Sequence, residues 1–238
     1  MILYTSHLDT FARNQFPMQY FPSHNKHANL YLILLMMCTF GIMLSVLRVV
    51  ATGSTMFLFL NWNLFLAIIP FMVTRFVVYK KAIIDKRLFL VVLVFWLLFF
   101  PNSPYILTDL FHLKKSTSMP LWYDLILVLS YAWAALVFGF MSLSDIQKMS
   151  ASYFSKRLTT IGIIIVLFVA SFGVYLGRYL RWNSWDIVAS PFRLLGDIGD
   201  RFMHPIEHPR TWGMTLVLGC FLNLAYFSLQ AIRKERIN

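Results

Sequence analysis

Residues 88–113 read LFLVVLVFWLLFFPNSPYILTDLFHL: an unbroken apolar run from Leu88 to Phe100, then Pro101-Asn102-Ser103-Pro104, then a turn carrying Tyr105, Thr108, Asp109 and His112. The 13 residues ahead of Pro101 rise only about 20 Å as a helix, against a hydrocarbon core of about 30 Å. The stretch therefore predicts a transmembrane helix that breaks inside the bilayer or at its edge. Its two prolines delete amide donors and orphan the carbonyls of Leu97 and Phe100. Lipid cannot satisfy those carbonyls, so the break should face protein or water. Ser103 before Pro104 is a good N-cap and first-turn pair, which predicts a second short helix starting there. On it Tyr105, Asp109 and His112 stand at i, i+4 and i+7, on one face.

Five further apolar runs, 29–50, 61–79, 122–142, 158–180 and 212–232, are long enough to span a bilayer. With 59% apolar and 13% charged residues over 238 positions, the chain reads as an all-α integral membrane bundle of six spans, the third broken, with no room for a sizeable soluble domain. The expected organisation is a tail over 1–28, one membrane domain over 29–232 and a basic tail over 233–238. Arg13 and Lys26 come too late for a signal peptide, so the first tail is expected to be retained. Cys38 and Cys220 fall within spans, where a thiol acts as a small apolar group.

The net charge of +11 would suggest a nucleic-acid partner in a soluble protein, but here it first reports topology. Twelve Lys and Arg lie on the side of the two tails and seven on the other, so the positive-inside rule places both termini in the cytoplasm of a cell-membrane protein. The tail side then carries +8 and the outer side +1, with Arg48 and Arg75 inside spans. Basic residues spread over loops without a recognisable module argue against nucleic acid and suit a lipid bilayer.

The near-neutral outer side holds most of the candidate chemistry. Arg48 ends the first span there. Asn61, Trp62 and Asn63 open the second, and Trp122, Tyr123 and Asp124 open the fourth. Tyr175, Arg178, Arg181, Trp182, Asn183, Trp185 and Asp186 follow as the fifth emerges. The tryptophans are expected interfacial anchors. Asp109 and His112 are the candidate catalytic or polar-wall residues. Asn102, Tyr105, Asp124, Arg178, Arg181 and Asp186 are candidates to bind substrate, since arginine on this side calls for a carboxylate partner or an anionic ligand. Residues 187–203 can form an amphipathic interfacial helix with Val188, Phe192, Leu195, Ile198 and Phe202 on one side. Arg193 with Asp197, and Asp197 with Arg201, are spaced to pair on the other. His204, Glu207 and His208 reproduce the H-x-x-E-H spacing of a zinc site, although Pro205 and Pro209 argue for a turn. A looser metal site joining His112 and Asp109 to His204 or His208 is the alternative. No specific cofactor is expected, and a divalent metal stays open.

On the tail side Arg75 is expected to snorkel to the surface and Pro70 to kink the second span, while Gly173 and Gly177 form a small-residue packing motif and Asn223 is expected to bond between helices. No Walker, dinucleotide-binding, G-x-S-x-G or paired C-x-x-C signature is present.

The segments around Asn61-Trp62-Asn63 with Pro70, Phe100-Pro101-Asn102-Ser103-Pro104-Tyr105 through Thr108-Asp109-Leu110 and His112, Trp122-Tyr123-Asp124, and Tyr175-Leu176-Gly177-Arg178 with Arg181-Trp182-Asn183-Ser184-Trp185-Asp186 resemble the family called domain of unknown function 1361. The resemblance implies a multi-pass bacterial membrane protein and brings no activity with it. Three functions are compatible with the residues: binding of an anionic or lipid-linked small molecule for transport or flipping; a metal-dependent hydrolase or transferase at the outer face; and a non-enzymatic accessory or assembly protein, with oligomers open in each case.

Overall fold

The computed structural model describes residues 24–79, 85–113 and 119–235. Most of the tail expected over 1–28, Lys80 and Lys81, Lys114 and Lys115, and residues 236–238 lie outside the described residues.

The spans are α1 (His24–Thr52), α2 (Phe59–Tyr79), a third that runs as α3 (Lys86–Phe99), the single turn α4 (Asn102–Tyr105) and a 3-10 segment (Ile106–His112), then α5 (Leu121–Ser150), α6 (Lys156–Tyr179) and, after two shorter helices, α9 (Pro209–Glu235). The shorter helices are α7 (Asp186–Ala189) and α8 (Pro191–Met203). Among the described residues six stretches are long and apolar enough to cross a membrane, as expected from the sequence. Local chemistry sets the ends. Asp85 accepts the Leu88 amide at 2.8 Å to cap α3, the Ser155 hydroxyl accepts that of Leu158 at 3.4 Å to cap α6, and Gly53 takes a positive φ just past α1.

α5 is the central helix, and its two faces feed two cores. Leu127, Tyr131, Ala135 and Phe138 pack with Leu34 and Leu44 of α1 and Leu60, Leu64 and Phe71 of α2. Leu136, Phe140, Leu143 and Ile146 pack with Trp96 of α3, Ile163 and Leu167 of α6, and Leu222 and Tyr226 of α9. Apolar side chains on the outer flanks, such as Leu35, Phe76, Val94 and Leu224, stay exposed, as expected of surfaces that face lipid. Both cysteines are free and lie in spans.

Two readings of the break change. The backbone of Phe100, Pro101, Tyr105 and Ile106 stays in the right-handed helical region, so the chain never makes the extended step that an N-cap needs. Ser103 is accordingly no cap, and its hydroxyl donates instead to the Ala67 carbonyl of α2 at 3.1 Å. Beyond it the chain tightens to a 3-10 segment of about three residues per turn, which aligns Asp109 with His112 more closely than an α-helix would.

The amphipathic segment forms two helices, with Pro191 opening the second. It is oriented opposite to a helix on a soluble protein. Arg201 is buried, and Asp197 accepts the Trp182 indole N–H at 2.8 Å, while Val188 (82% exposed), Phe192 (87%) and Ile206 (91%) point away from the protein. Of the two expected ion pairs, Asp197–Arg201 forms at 3.6 Å, whereas the Arg193 guanidinium lies 5.7 Å from the centre of the Trp182 ring. An apolar outer face beside the spans is suited to acyl chains. A spin label at Phe192→Cys, in a chain with Cys38→Ala and Cys220→Ala, should collide with oxygen far more than with a water-soluble nickel chelate. The reverse order would show that this face meets water.

Candidate functional site

The broken span sits in two notches. A Cβ added at Gly139 of α5 would lie 2.7 Å from Ser103 Cβ, and one at Gly173 of α6 would lie 2.9 Å from Pro101 Cγ, closer than real side chains approach. Gly173 and Gly177 thus are packing glycines, as their spacing suggested, and what they pack against is Pro101 and the Tyr105 ring. Of the two carbonyls the prolines orphan, that of Phe100 accepts the Ser103 amide at 3.0 Å. Its neighbours are satisfied by side chains: Asn102 Nδ2 donates to Phe99 O at 2.9 Å and to Ser184 Oγ at 3.1 Å, and Ser184 Oγ donates to Leu98 O at 3.0 Å. The amide nitrogen of Asn102, a candidate binding group, is therefore committed to the break.

This packing buries Asp109, which is 1% exposed. Its Oδ2 accepts from Asn63 Nδ2 at 2.9 Å and its Oδ1 from Arg178 Nη2. Arg178 Nε donates to Thr108 Oγ1 at 2.7 Å, Thr108 Oγ1 donates to the Tyr105 carbonyl at 2.6 Å, and the guanidinium carbon lies 4.5 Å from the centre of the Tyr105 ring. Tyr105, Asp109 and Arg178 thus meet at one guanidinium supplied by α6. His112 is half-exposed, with Nδ1 3.3 Å from the backbone oxygen of Asp109 and 3.8 Å from its Oδ1, and its ring stands 5.2 Å from that of Phe59.

A second buried pair ties α1 to α5. Arg48 Nε and Nη2 donate to Asp124 Oδ1 and Oδ2 at 2.7 and 3.2 Å, and the guanidinium lies 4.7 Å from the centre of the Phe57 ring. Arg48 Nη1 is buried without a partner among the described residues. Beside it, Ser45 Oγ and Tyr131 Oη are 3.0 Å apart, and Tyr131 Oη donates to Asn61 Oδ1 at 2.7 Å. Asp124, expected to bind substrate, is thus fully engaged by Arg48.

Arg181 is exposed and holds φ +60° where α6 ends, with the Trp182 amide reaching back to Leu176 O at 3.2 Å. Asp186 serves its own turn, accepting the Asn183 amide at 2.6 Å, and does not join the Arg178 cluster.

His204 Nδ1 and His208 Nε2 both bond Asp200, at 3.1 and 2.8 Å, and Arg201 Nη1 lies 3.5 Å from the same carboxylate. The bonds from His204 and then His208 hold the Asp200 carboxyl below its ordinary range. Glu207 is exposed, and Pro205 and Pro209 flank a turn rather than a helix interior. The structure does not gather the expected set of His112, His204, Glu207 and His208 at one point. Among the described residues, no three His, Cys, Asp or Glu side chains are placed to hold a metal ion.

Several contacts around these buried charges are not legible in the sequence. Asn63 was visible only as one polar residue opening a span, and Thr108 not at all as a partner for Arg178. Arg75 also has a partner that its position in a span did not disclose: its Nε lies 3.1 Å from Asp145 Oδ2, which also accepts from Thr74 Oγ1 at 3.3 Å, and Asp145 is 2% exposed. The available signal was the periodic apolar pattern running on past Ser142, which carries α5 to Ser150 and takes Asp145 inside. Asn223 donates to Gly219 O of its own helix at 2.8 Å, not across helices.

Six apolar spans with paired charges buried among them define a multi-pass α-helical membrane protein. The chain belongs to the family described as protein of unknown function (DUF1361), which matches it over residues 62–225. No curated protein and no solved structure matches it.

Proposed function

We propose that this membrane protein binds the anionic group of a small or lipid-linked ligand at the Asp109 end of the bundle, as a step in transport or flipping. The charge distribution favours an orientation with both termini in the cytoplasm of a plasma-membrane protein and this end outside. The observation that carries the reading is the state of Arg178. Its Nε and Nη2 are fixed by Thr108 and Asp109, while Nη1 has no protein partner among the described residues. One guanidinium edge is thereby pre-oriented for an anion such as phosphate, and the exposed Arg181 emerges three residues further on. Asp109 is then the internal anion with which a ligand competes.

Binding is favoured over acid–base chemistry for a geometric reason. Both oxygens of Asp109 accept hydrogen bonds from side chains, and the His112 nitrogen nearest to it is 3.8 Å from the carboxylate, beyond hydrogen-bonding reach.

The test is titration of purified protein in nanodiscs with dioctanoyl phosphatidic acid, a soluble monophosphate lipid. The parent should bind, and Arg181→Gln should weaken binding roughly tenfold, the loss expected for one charged contact. Equal affinity in parent, Arg181→Gln and Arg178→Gln would refute the site.

A further inference from the structure

At the opposite end of the bundle, a cleft of about 430 Å³ opens between α5, α6 and α9, lined by Gln147, Ala151, Lys156, Thr159, Thr160, Phe227 and Gln230. It lies far from Asp109. α5 carries Asp124 in its first turn and Gln147 in its last, a separation of about 35 Å at about 1.5 Å per residue.

We infer that this cleft is a second binding site, for a phosphate group. Five of its seven lining residues are polar, in a protein whose other lateral surfaces are mostly apolar. Lys156 supplies a cation with no carboxylate partner among the described residues, and it opens α6, whose first amides and helix dipole also favour an anion. Ser155 takes up one of those amides, that of Leu158.

The independent pointer is Thr159. The residue is 7% exposed and lies in the cleft wall, yet its hydroxyl has no hydrogen-bond partner among the described residues. A helical threonine ordinarily satisfies itself on the carbonyl four residues back, as Thr160 does on Lys156 O at 3.0 Å. Thr159 does not, and a buried hydroxyl left unbonded costs about 1–3 kcal/mol. Thr159 lines the cleft, and a χ1 rotation that turns its hydroxyl out of the wall would let a phosphate oxygen there accept it.

The opposite wall is already fixed. Tyr226 Oη donates to Gln147 Oε1 at 2.7 Å, and Gln230 Nε2 bonds the same oxygen. Phe227 adds an apolar edge beside the lipid-facing flank of α9, so a phosphate on an acyl chain fits as well as a free one.

The probes are inorganic phosphate and dioctanoyl phosphatidic acid, titrated into the full chain carrying Arg181→Gln so that the distant site is weakened. Bound stoichiometry is read by native mass spectrometry. Binding that falls roughly tenfold in Lys156→Gln and in Thr159→Val, and returns in Thr159→Ser, supports the site. If only the lipid binds, the source is a headgroup; if inorganic phosphate binds as tightly, it is the free ion. Unchanged binding in both variants, or no binding of either probe by a chain whose melting temperature matches the parent, overturns it. The Arg178 reading stands or falls separately, because no variant here except Arg181→Gln touches that end.

Discussion

Replacing Arg48 by methionine should destabilise the folded chain by about 3–5 kcal/mol, the penalty for leaving a buried charge without its partner. Asp124 is 1% exposed and its two oxygens accept from Arg48, so no water stands ready to take over. The same substitution removes the cation from the Phe57 ring. Adding Asp124→Leu to Arg48→Met should return most of the loss. With both ends apolar no desolvated charge remains, and such exchanges of buried pairs are near neutral or favourable. The unpartnered Arg48 Nη1 points the same way, since the native pair already carries an uncompensated donor. Thermal unfolding in detergent micelles reads both changes, and a double variant as unstable as Arg48→Met would show that the pair's worth lies elsewhere.

The buried ion pairs mark the limit of what the sequence discloses. Span number, the broken third span and the glycine packing follow from composition, proline chemistry and spacing, because lipid forbids unsatisfied backbone and so narrows the choices to few. Which arginine meets which carboxylate does not follow. Arg48 and Asp124 are 76 positions apart, and Arg178 and Asp109 are 69 apart, distances over which no periodicity carries information. The sequence put six of these charges at one end of the bundle, but it took the helix packing to divide them into two ion pairs, a turn around Asp186 and an exposed Arg181. Asp145 was lost for another reason. A span judged to end at Ser142 leaves the carboxylate in a loop, while one that continues buries it against Arg75. The facing of α8 was equally hidden, since an amphipathic pattern states that two faces differ and not which of them looks outward.

Asp109→Asn and Arg178→Gln should lower stability together and move ligand affinity in opposite directions. In Asp109→Asn the side chain keeps its shape and still accepts from Arg178, but its new amide faces that of Asn63, which must turn to offer its oxygen. A loss of about 1–3 kcal/mol is expected for the weakened bonds. The Arg178 guanidinium then lacks its internal counter-charge. Removing a unit charge about 4 Å away alters a bound anion's energy by well over the 1.4 kcal/mol that corresponds to tenfold in affinity, at an effective dielectric of about 20. Dioctanoyl phosphatidic acid should therefore bind on the order of tenfold more tightly or better. Arg178→Gln leaves Asp109 buried with only Asn63, costs about 3–5 kcal/mol, and should abolish binding at this end. A pair that merely staples the broken span to α6 would show the two losses of stability and no change in affinity, whereas an anion site makes Asp109 its competitor. If Asp109→Asn weakens the ligand as Arg178→Gln does, the carboxylate holds the site in shape rather than opposing its occupant, and the competition between Asp109 and the ligand is wrong.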